Sequence, residues 1–389
     1  MANPRAHSAA GEASEMLGSV AAGLDGGAKQ PPIPRPREPA LQHPRPLIPR
    51  VAELRPGTDF VLAETLHRDP LGVTYRARDR VRDEETAVTL FHPSVGQGAG
   101  GLEHFQNALL ASVVDHPAII GVDRIGRWRS QLAIARRLIY APTLSERYPR
   151  GQRCGLMHVL DSLRPIAQAL DTAHGRGVSH GDLRLDSILV SQSSGALLLG
   201  CGLADALNLQ QVLTSTLERR TEWAVPWLDT AGPYLAPERW RGVAPDSRSD
   251  QYALGVIAFR LLTGELPYSA EQPAKLAELH RVAIVPRPSS WQSELPPYVD
   301  RAIARALAKV AAERFTTATA FLDALAGRAS LPRIEARSLE PPPLVEPDAV
   351  PAHVAERATG RLLDGWLPIA TFLAALVVAA SLVVALRAH

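Results

Sequence analysis

The stretch HGDLRLDSILV at residues 180–190 decides the fold of this chain of 389 residues. It is preceded directly by ALDTAHGRGVS at residues 169–179 and followed in order by APE at 236–238, DQYALGV at 250–256 and AERF at 312–315. Each segment alone is too short to identify a fold. Their order along the chain makes the combined pattern specific, because a short motif gains weight from its context.

Together these segments resemble the protein kinases, and in particular the bacterial Ser/Thr kinases of eukaryotic type. Residues 180–190 are similar to the kinase catalytic loop, H-R-D-L-x-x-x-N, and residues 236–238 to the A-P-E motif. The resemblance implies an α+β, two-lobed protein-kinase-like fold for residues 51–330. We expect a small lobe at 59–140, with a five-stranded sheet and one helix, and a mainly helical large lobe at 141–329.

The resemblance gives structural roles to four residues of the large lobe. Glu238 and Arg314 would form a buried ion pair that ties the peptide-binding segment to the lower lobe. Asp250 would accept hydrogen bonds from backbone N–H groups of the catalytic loop, which begins at His180. Removing one partner of a buried ion pair costs about 3–5 kcal/mol, because the other charge is left unpaired.

The loop that would hold the phosphates of ATP departs from the family pattern. Kinase loops read G-x-G-x-x-G, because glycine lets backbone amides approach the phosphates closely. Here only Gly72 remains of the glycines. Asp69 places a negative charge where the phosphates would lie, and Pro70 lacks an N–H. These changes favour an ordinary hairpin turn over a phosphate cradle.

The phosphate-binding lysine of the third strand is also replaced. Thr89 stands in its position, and none of the three lysines of the chain falls in the small lobe. Only an arginine such as Arg76 or Arg78 could supply the charge, although a guanidinium differs in shape from an ammonium. The helix that would offer the partner glutamate, at residues 104–114, contains no acidic residue.

The magnesium ligands of the family are missing as well. Ser187 and Gly200 occupy the two ligand positions, and magnesium prefers carboxylate and phosphate oxygens. Asp182 alone keeps the position of the catalytic base, and we interpret it as a residue retained for loop architecture.

Gly181 replaces the arginine that receives a phosphate on the activation loop, which we place at residues 203–235. This loop carries Thr214, Ser215, Thr216 and Thr221 as candidate sites for another kinase.

Composition restricts the remaining classes of function. The net charge of +2 gives no reason to expect nucleic-acid binding, since the basic residues are spread along the chain. Cys154 and Cys201 are the only cysteines, so neither a disulfide framework nor a cysteine metal cluster is predicted. This usage fits a reducing cytoplasm.

Both ends of the chain differ in composition from the domain. Residues 1–50 are rich in proline and alanine and predict a disordered tail. Residues 331–364 form a proline-rich linker before the membrane. Residues 365–386 hold no charged side chain, and about 20 apolar residues suffice for a helix that spans a bilayer. We expect one C-terminal transmembrane helix that anchors the protein in the inner membrane.

The orientation follows from the N-terminus, where no apolar export signal is found, so we expect the domain to remain in the cytoplasm.

Small residues recur four apart in the apolar segment, at Ala375 and Ala379 and at Ser381 and Ala385. Such spacing allows helices to pack closely and is compatible with a homodimer.

These observations lead to one main prediction of function and two alternatives. The main one is a membrane-anchored cytoplasmic pseudokinase that acts as a scaffold or allosteric regulator for an unidentified signalling protein, with no cofactor. The first alternative is a divergent active Ser/Thr kinase that uses Asp182, ATP and magnesium. The second is a kinase-fold enzyme with other nucleotide chemistry. Nucleotide and metal binding by the cleft would separate them.

Overall fold

The computed structural model describes residues 49–51, 54, 58–96, 101–219 and 224–329. The predicted linker, the apolar segment at 365–386 and nearly all of the predicted N-terminal tail lie outside these residues. Within the part that is described, no helix is both long and apolar enough to cross a membrane.

The small lobe is built on a six-stranded sheet with one helix, α1 (Gly101–Ala111). In spatial order the sheet reads β1-β6-β7-β4-β3-β2, and its pairs are antiparallel except β1 with β6. The strands are β1 (Arg50–Val51), β2 (Phe60–Asp69), β3 (Gly72–Asp79), β4 (Glu84–Phe91), β6 (Arg124–Trp128) and β7 (Gln131–Arg137). The sheet therefore has one strand more than predicted, the two-residue β1.

Strands β2 and β3 are joined by the two-residue turn at Pro70 and Leu71, with Asp69 opposite Gly72 in the register. Gly72 is required by packing against the neighbouring strand. A Cβ at this position would lie 2.4 Å from the carbonyl oxygen of Leu90 on β4. The last six residues of β4 are buried, as expected of a strand covered on both faces.

The large lobe is mainly helical, as predicted, and carries a second, three-stranded sheet of order β5-β9-β8. These strands are β5 (Ile119–Ile120), β8 (Ile188–Ser191) and β9 (Gly195–Leu199). The α-helices after α1 are α2 (Leu144–Arg147), α3 (Leu156–His174), α4 (Leu203–Ala206), α5 (Leu209–Arg219), α6 (Val225–Ala231), α7 (Ser247–Thr263), α8 (Pro273–Val282), α9 (Pro297–Ala306) and α10 (Ala318–Leu325).

Helix α7 forms the centre of the large lobe. It begins at the N-cap Asp246, whose side chain accepts a hydrogen bond from the Ser249 backbone N–H, and ends at Gly264 in the left-handed conformation. Every residue from Ser249 to Thr263 is buried. A helix that is covered all round belongs to the interior of a lobe, so α7 is the element on which the other helices pack.

The segment at 203–235 is not the long loop that the sequence predicts. It contains α4, α5 and α6, and their apolar side chains join a core cluster with the small lobe. The members of this cluster from the segment are buried: Ala204, Ala206, Leu207, Leu209, Leu213, Trp227, Leu228, Ala231 and Leu235. Burial of this apolar surface stabilises a helical form that local sequence alone did not indicate.

Candidate functional site

The candidate site is the cleft between the β2–β3 turn and the catalytic loop, and Asp69 crosses it. The Asp69 Oδ1 atom accepts a hydrogen bond from the Leu71 backbone N–H at 2.8 Å, which fixes the turn. Its Oδ2 atom lies 2.5 Å from Nη2 of Arg184 in the catalytic loop. A carboxylate therefore occupies the space that a phosphate-binding loop would leave open, and it links the two lobes.

Arg184 is the centre of a cluster of carboxylates. Its nitrogens also lie 3.3 Å from Asp182 and 3.9 Å from Asp186. Because these carboxylates favour its charged form, the pKa of Arg184 is raised although burial opposes the shift. No motif in the sequence singles out Arg184. Its position two residues after Asp182 was the available signal.

Asp182, in the position of the catalytic base, is nearly buried and faces Arg184 rather than only the backbone. Its backbone N–H donates to His180 Nδ1 at 3.3 Å. Burial raises the pKa of Asp182 above its ordinary value, and the positive charge of Arg184 counteracts this only in part. The side chain is thus held in a charged pair inside the loop.

The lysine position has become part of a neutral contact. The hydroxyls of Thr89 and Thr74 lie 2.9 Å apart on adjacent strands, and both side chains are buried. The arginines that could replace the lysine lie elsewhere. Arg76 pairs with Glu64 and Glu85, and Arg78 pairs with Asp83. The expectation that Arg76 or Arg78 could serve the cleft is therefore wrong, because Arg76 is held by carboxylates of its own sheet and Arg78 by Asp83 in the turn after β3.

Another arginine does face the cleft. Arg136 on β7 borders the cavities on both sides of the cleft. Arg136 lies directly opposite Ala87 of the neighbouring strand β4, and Thr89 lies two positions further along β4. The side chains of Arg136, Ala87 and Thr89 therefore lie on the same face of the sheet. The sequence analysis did not identify Arg136, since neither the register nor the orientation of β7 could be read from the motifs.

Helix α1 lacks the usual ion pair to the sheet and is anchored differently. It begins at Gly101, earlier than predicted, and so includes Glu103, which is exposed at its first turn. His104 Nε2 lies 3.1 Å from the backbone oxygen of Asp205 in α4. A Cβ on Gly202, just before α4, would lie 2.0 Å from Ser112 Oγ. Helix α1 therefore packs tightly against the segment that starts with α4.

The two magnesium-ligand positions do not fit a metal ion. The Ser187 hydroxyl donates to the Arg184 carbonyl at 2.7 Å and accepts from the Arg184 N–H at 3.0 Å. Gly200 has no side chain, and its φ of 90° favours glycine. Among the described residues no group of three or more His, Cys, Asp or Glu side chains could hold a metal. The donors present thus give no reason to place magnesium here.

The structural residues of the catalytic loop are present with their partners. Asp250 accepts hydrogen bonds from the backbone N–H groups of His180 at 2.7 Å and Gly181 at 2.8 Å. His174 Nε2 lies 2.8 Å from the same carboxylate. Although burial acts to raise it, these hydrogen bonds keep the pKa of Asp250 below its ordinary value. His180 Nε2 also lies 2.7 Å from the Leu199 carbonyl oxygen.

A buried ion pair holds the lower lobe. Arg314 donates to both carboxylate oxygens of Glu238, at 2.7 and 2.8 Å, and its side chain is 0% exposed. The next residue, Arg239, is also buried and donates to the carbonyl of Gly181 at 3.0 Å. At Gly181 a Cβ would lie 2.6 Å from Ala204 Cβ, so no arginine fits here without rearrangement.

Fold and site together define a protein kinase domain with an altered cleft. Residues 70–324 match the family model described as protein kinase domain, so the chain belongs to the protein kinase family.

Its similarity to bacterial Ser/Thr kinases is also shown. The chain is 30% identical to the serine/threonine-protein kinase PknE of Mycobacterium bovis, over 68% of this chain and 46% of the relative. It is 31% identical to PknD of Mycobacterium tuberculosis, over 67% of this chain and 38% of the relative. It is 26% identical to the probable serine/threonine-protein kinase PknB of Lactococcus lactis, over 70% of this chain and 42% of the relative. The chain spans less than half the length of these relatives.

Proposed function

We propose that this protein is a pseudokinase, a kinase-fold domain that acts by binding a signalling partner and does not transfer phosphate. The observation that carries the proposal is the contact of Asp69 with Arg184 across the cleft. It places a carboxylate where phosphates would lie, and it uses an arginine of the catalytic loop for a contact within the protein.

The replaced residues support the same proposal. Phosphoryl transfer depends on positioning and on neutralising the phosphate charge. Thr89 and Gly200 supply neither a cation nor a metal ligand, and the Ser187 hydroxyl is engaged within its own turn. Losing one such group in a working site costs on the order of 10²–10³ in rate, and the groups act as a unit.

The divergent active kinase is the second candidate, and the comparisons favour it. The relatives named above are called serine/threonine-protein kinases, and the chain matches them across most of its kinase domain. Asp182 keeps the position of the base. In this reading a cleft arginine would have to replace the lysine, and Asp69 would have to leave Arg184 when a nucleotide binds.

Binding and transfer measurements on the full-length protein separate the two candidates. A thermal-shift titration with ATP, with and without magnesium or manganese, is followed by a labelled-phosphate transfer assay, with Asp182→Asn as the matched variant. We expect no metal-dependent stabilisation and no transfer. Metal-dependent stabilisation together with transfer that Asp182→Asn abolishes would establish the active kinase instead.

We further propose that residues 365–386 anchor the protein in the inner membrane with the kinase domain in the cytoplasm. The support is the uncharged sequence of the segment and its length. A scaffold held at the membrane would bring its partner to the membrane surface.

A further inference from the structure

Arg136 borders three cavities in and beside the cleft. The cavities have volumes of about 300, 260 and 120 Å³. Of the described residues that border them, Arg136 alone borders all three. The residue is partly exposed.

Among the residues that the structure describes, no group neutralises this guanidinium. Within the described residues it forms no ion pair, and it donates no hydrogen bond, whereas its backbone carbonyl accepts one from Thr86 Oγ1. The other arginines near the cleft differ, because Arg184 and Arg76 are each held by carboxylates. Burial lowers the pKa of Arg136 to about 10, so it is still protonated at neutral pH.

An unpaired cation among apolar walls is unfavourable, and such charges in proteins are normally paired. The 300 Å³ cavity is lined largely by apolar side chains, among them Ile120, Leu138, Leu189 and Leu199, and Arg137, Glu146 and Asp186 also border it. A cation that ends an apolar pocket is the arrangement that recognises a ligand with an apolar body and an acidic group.

We propose that the cleft binds, without metal, a small organic anion, with a flat apolar body in the 300 Å³ cavity and a single carboxylate or phosphate group on Arg136. This extends the proposed pseudokinase function by giving the cleft a ligand of its own. A bidentate contact between a guanidinium and such an oxyanion is stronger than a neutral hydrogen bond.

The ligand carries one compact anionic group rather than a polyphosphate. The smallest cavity, on the phosphate side of the cleft, is bordered by the carboxylates of Asp69, Asp182 and Asp186, and its other arginine, Arg184, is already paired with these three. Like charges repel at these distances, and no metal site is present among the described residues to offset the repulsion. Without metal, affinity for adenine nucleotides therefore falls from AMP to ATP.

The test measures binding by the full-length protein in EDTA. Two acids serve as probes, 2-naphthoate and AMP, each with its uncharged counterpart, 2-naphthol and adenosine. The variant is Arg136→Met, which keeps the length of the side chain, and the control is Arg78→Gln, which removes an exposed arginine of the same sheet. Calorimetric titration gives the affinity, and thermal unfolding reports the stability of each variant.

We expect at least one acid to bind, and to bind more tightly than its uncharged counterpart. Its affinity should fall by about tenfold to a hundredfold in Arg136→Met, the loss of a hydrogen bond to a charged group, and stay unchanged in Arg78→Gln. Binding of 2-naphthoate alone indicates a carboxylate ligand, and tighter binding of AMP indicates a nucleoside monophosphate.

Arg136→Met should also unfold at a higher temperature than the unmodified protein, because it removes an unpaired charge. The proposal is overturned if neither acid binds at millimolar concentration, if the variant binds them equally well, or if the variant is less stable. None of these results depends on phosphate transfer, so the pseudokinase proposal stands or fails separately.

Discussion

At the scale of the residue, the pairing of charges characterises this cleft. Arg184 is surrounded by carboxylates, and Arg136, on the facing strand, has none among the described residues. In water the free energy of a charge depends little on whether it is paired. In a partly buried cleft an ionic contact is stronger and an unpaired charge is costly. An internal contact therefore crosses the phosphate side of the cleft.

The ion pair of the lower lobe gives the first prediction. Glu238→Ala should lower the free energy of unfolding by about 3–5 kcal/mol, because Arg314 is left buried without its carboxylate. Asp182→Ala should cost far less, since Arg184 keeps Asp69 as a partner. Chemical denaturation of both variants checks the order. The reverse order would contradict the structural role given to Glu238.

A buried lysine gives a prediction on pH. Lys309 Nζ donates to the Tyr268 hydroxyl at 2.9 Å and to the His280 carbonyl at 2.8 Å. Burial, with the charge of Arg314, lowers the pKa of Lys309 from 10.5 to about 7. Between these values the unfolded chain binds more protons than the folded one, so this group makes stability rise with pH.

The measurement compares the denaturation midpoint of the unmodified protein and of Lys309→Met across this range of pH. The denaturation midpoint should rise less steeply with pH in Lys309→Met than in the unmodified protein. Burial raises the pKa of the neighbouring phenols of Tyr252 and Tyr268, so they should not titrate in this range in the folded state. Parallel curves for the two proteins would show that Lys309 keeps an ordinary pKa.

At the scale of the element, the segment after the catalytic loop determines which hydroxyl groups are accessible. The segment is helical from Leu209 to Arg219, and the Thr216 side chain is 4% exposed, with its hydroxyl donating to the Val212 carbonyl at 2.7 Å. Ser215, one residue earlier, is partly exposed. Modification of this segment is therefore restricted by packing.

This difference between neighbouring residues yields the third prediction. Thr216→Glu should reduce stability by several kcal/mol, because it buries a carboxylate without a partner, whereas Ser215→Glu should change it little. Thermal unfolding of the two variants is the measurement. Equal effects would mean that helix α5 is not packed on the small lobe in solution.

At the scale of the whole molecule, two lobes with their own cores meet at the cleft and are tied by the contact between Asp69 and Arg184. The small lobe supplies the turn and the strand with Arg136, and the large lobe supplies the catalytic loop. Binding in the cleft is thus expected to affect both lobes.

Membrane anchoring by residues 365–386 can be tested by truncating the chain. Deleting residues 365–389 should release the protein from membranes, since no helix among the described residues can span a bilayer. Deleting residues 1–50 is the matched control and should leave the protein with the membrane. Cell fractionation and immunoblotting decide the matter. Retention of the first truncated protein would show that another surface binds the membrane.

The sequence by itself determined the family, the order of the lobes and the positions at which residues of the family motifs are replaced. These follow from short motifs, such as residues 180–190, whose identity and order can be read along the chain. The ion pair of Glu238 and Arg314, 76 residues apart, could be expected because the resemblance supplied both partners.

Only the tertiary structure decided how the altered cleft is arranged. Asp69 and Arg184 are 115 residues apart, and no motif pairs them. Arg136 faces the cleft because of the register of β7 against β4, and a shift of one residue would turn it to the other face. The segment at 203–235 became helical through burial against the small lobe. Contacts between distant residues and the facing of side chains depend on packing in three dimensions, which local sequence does not encode.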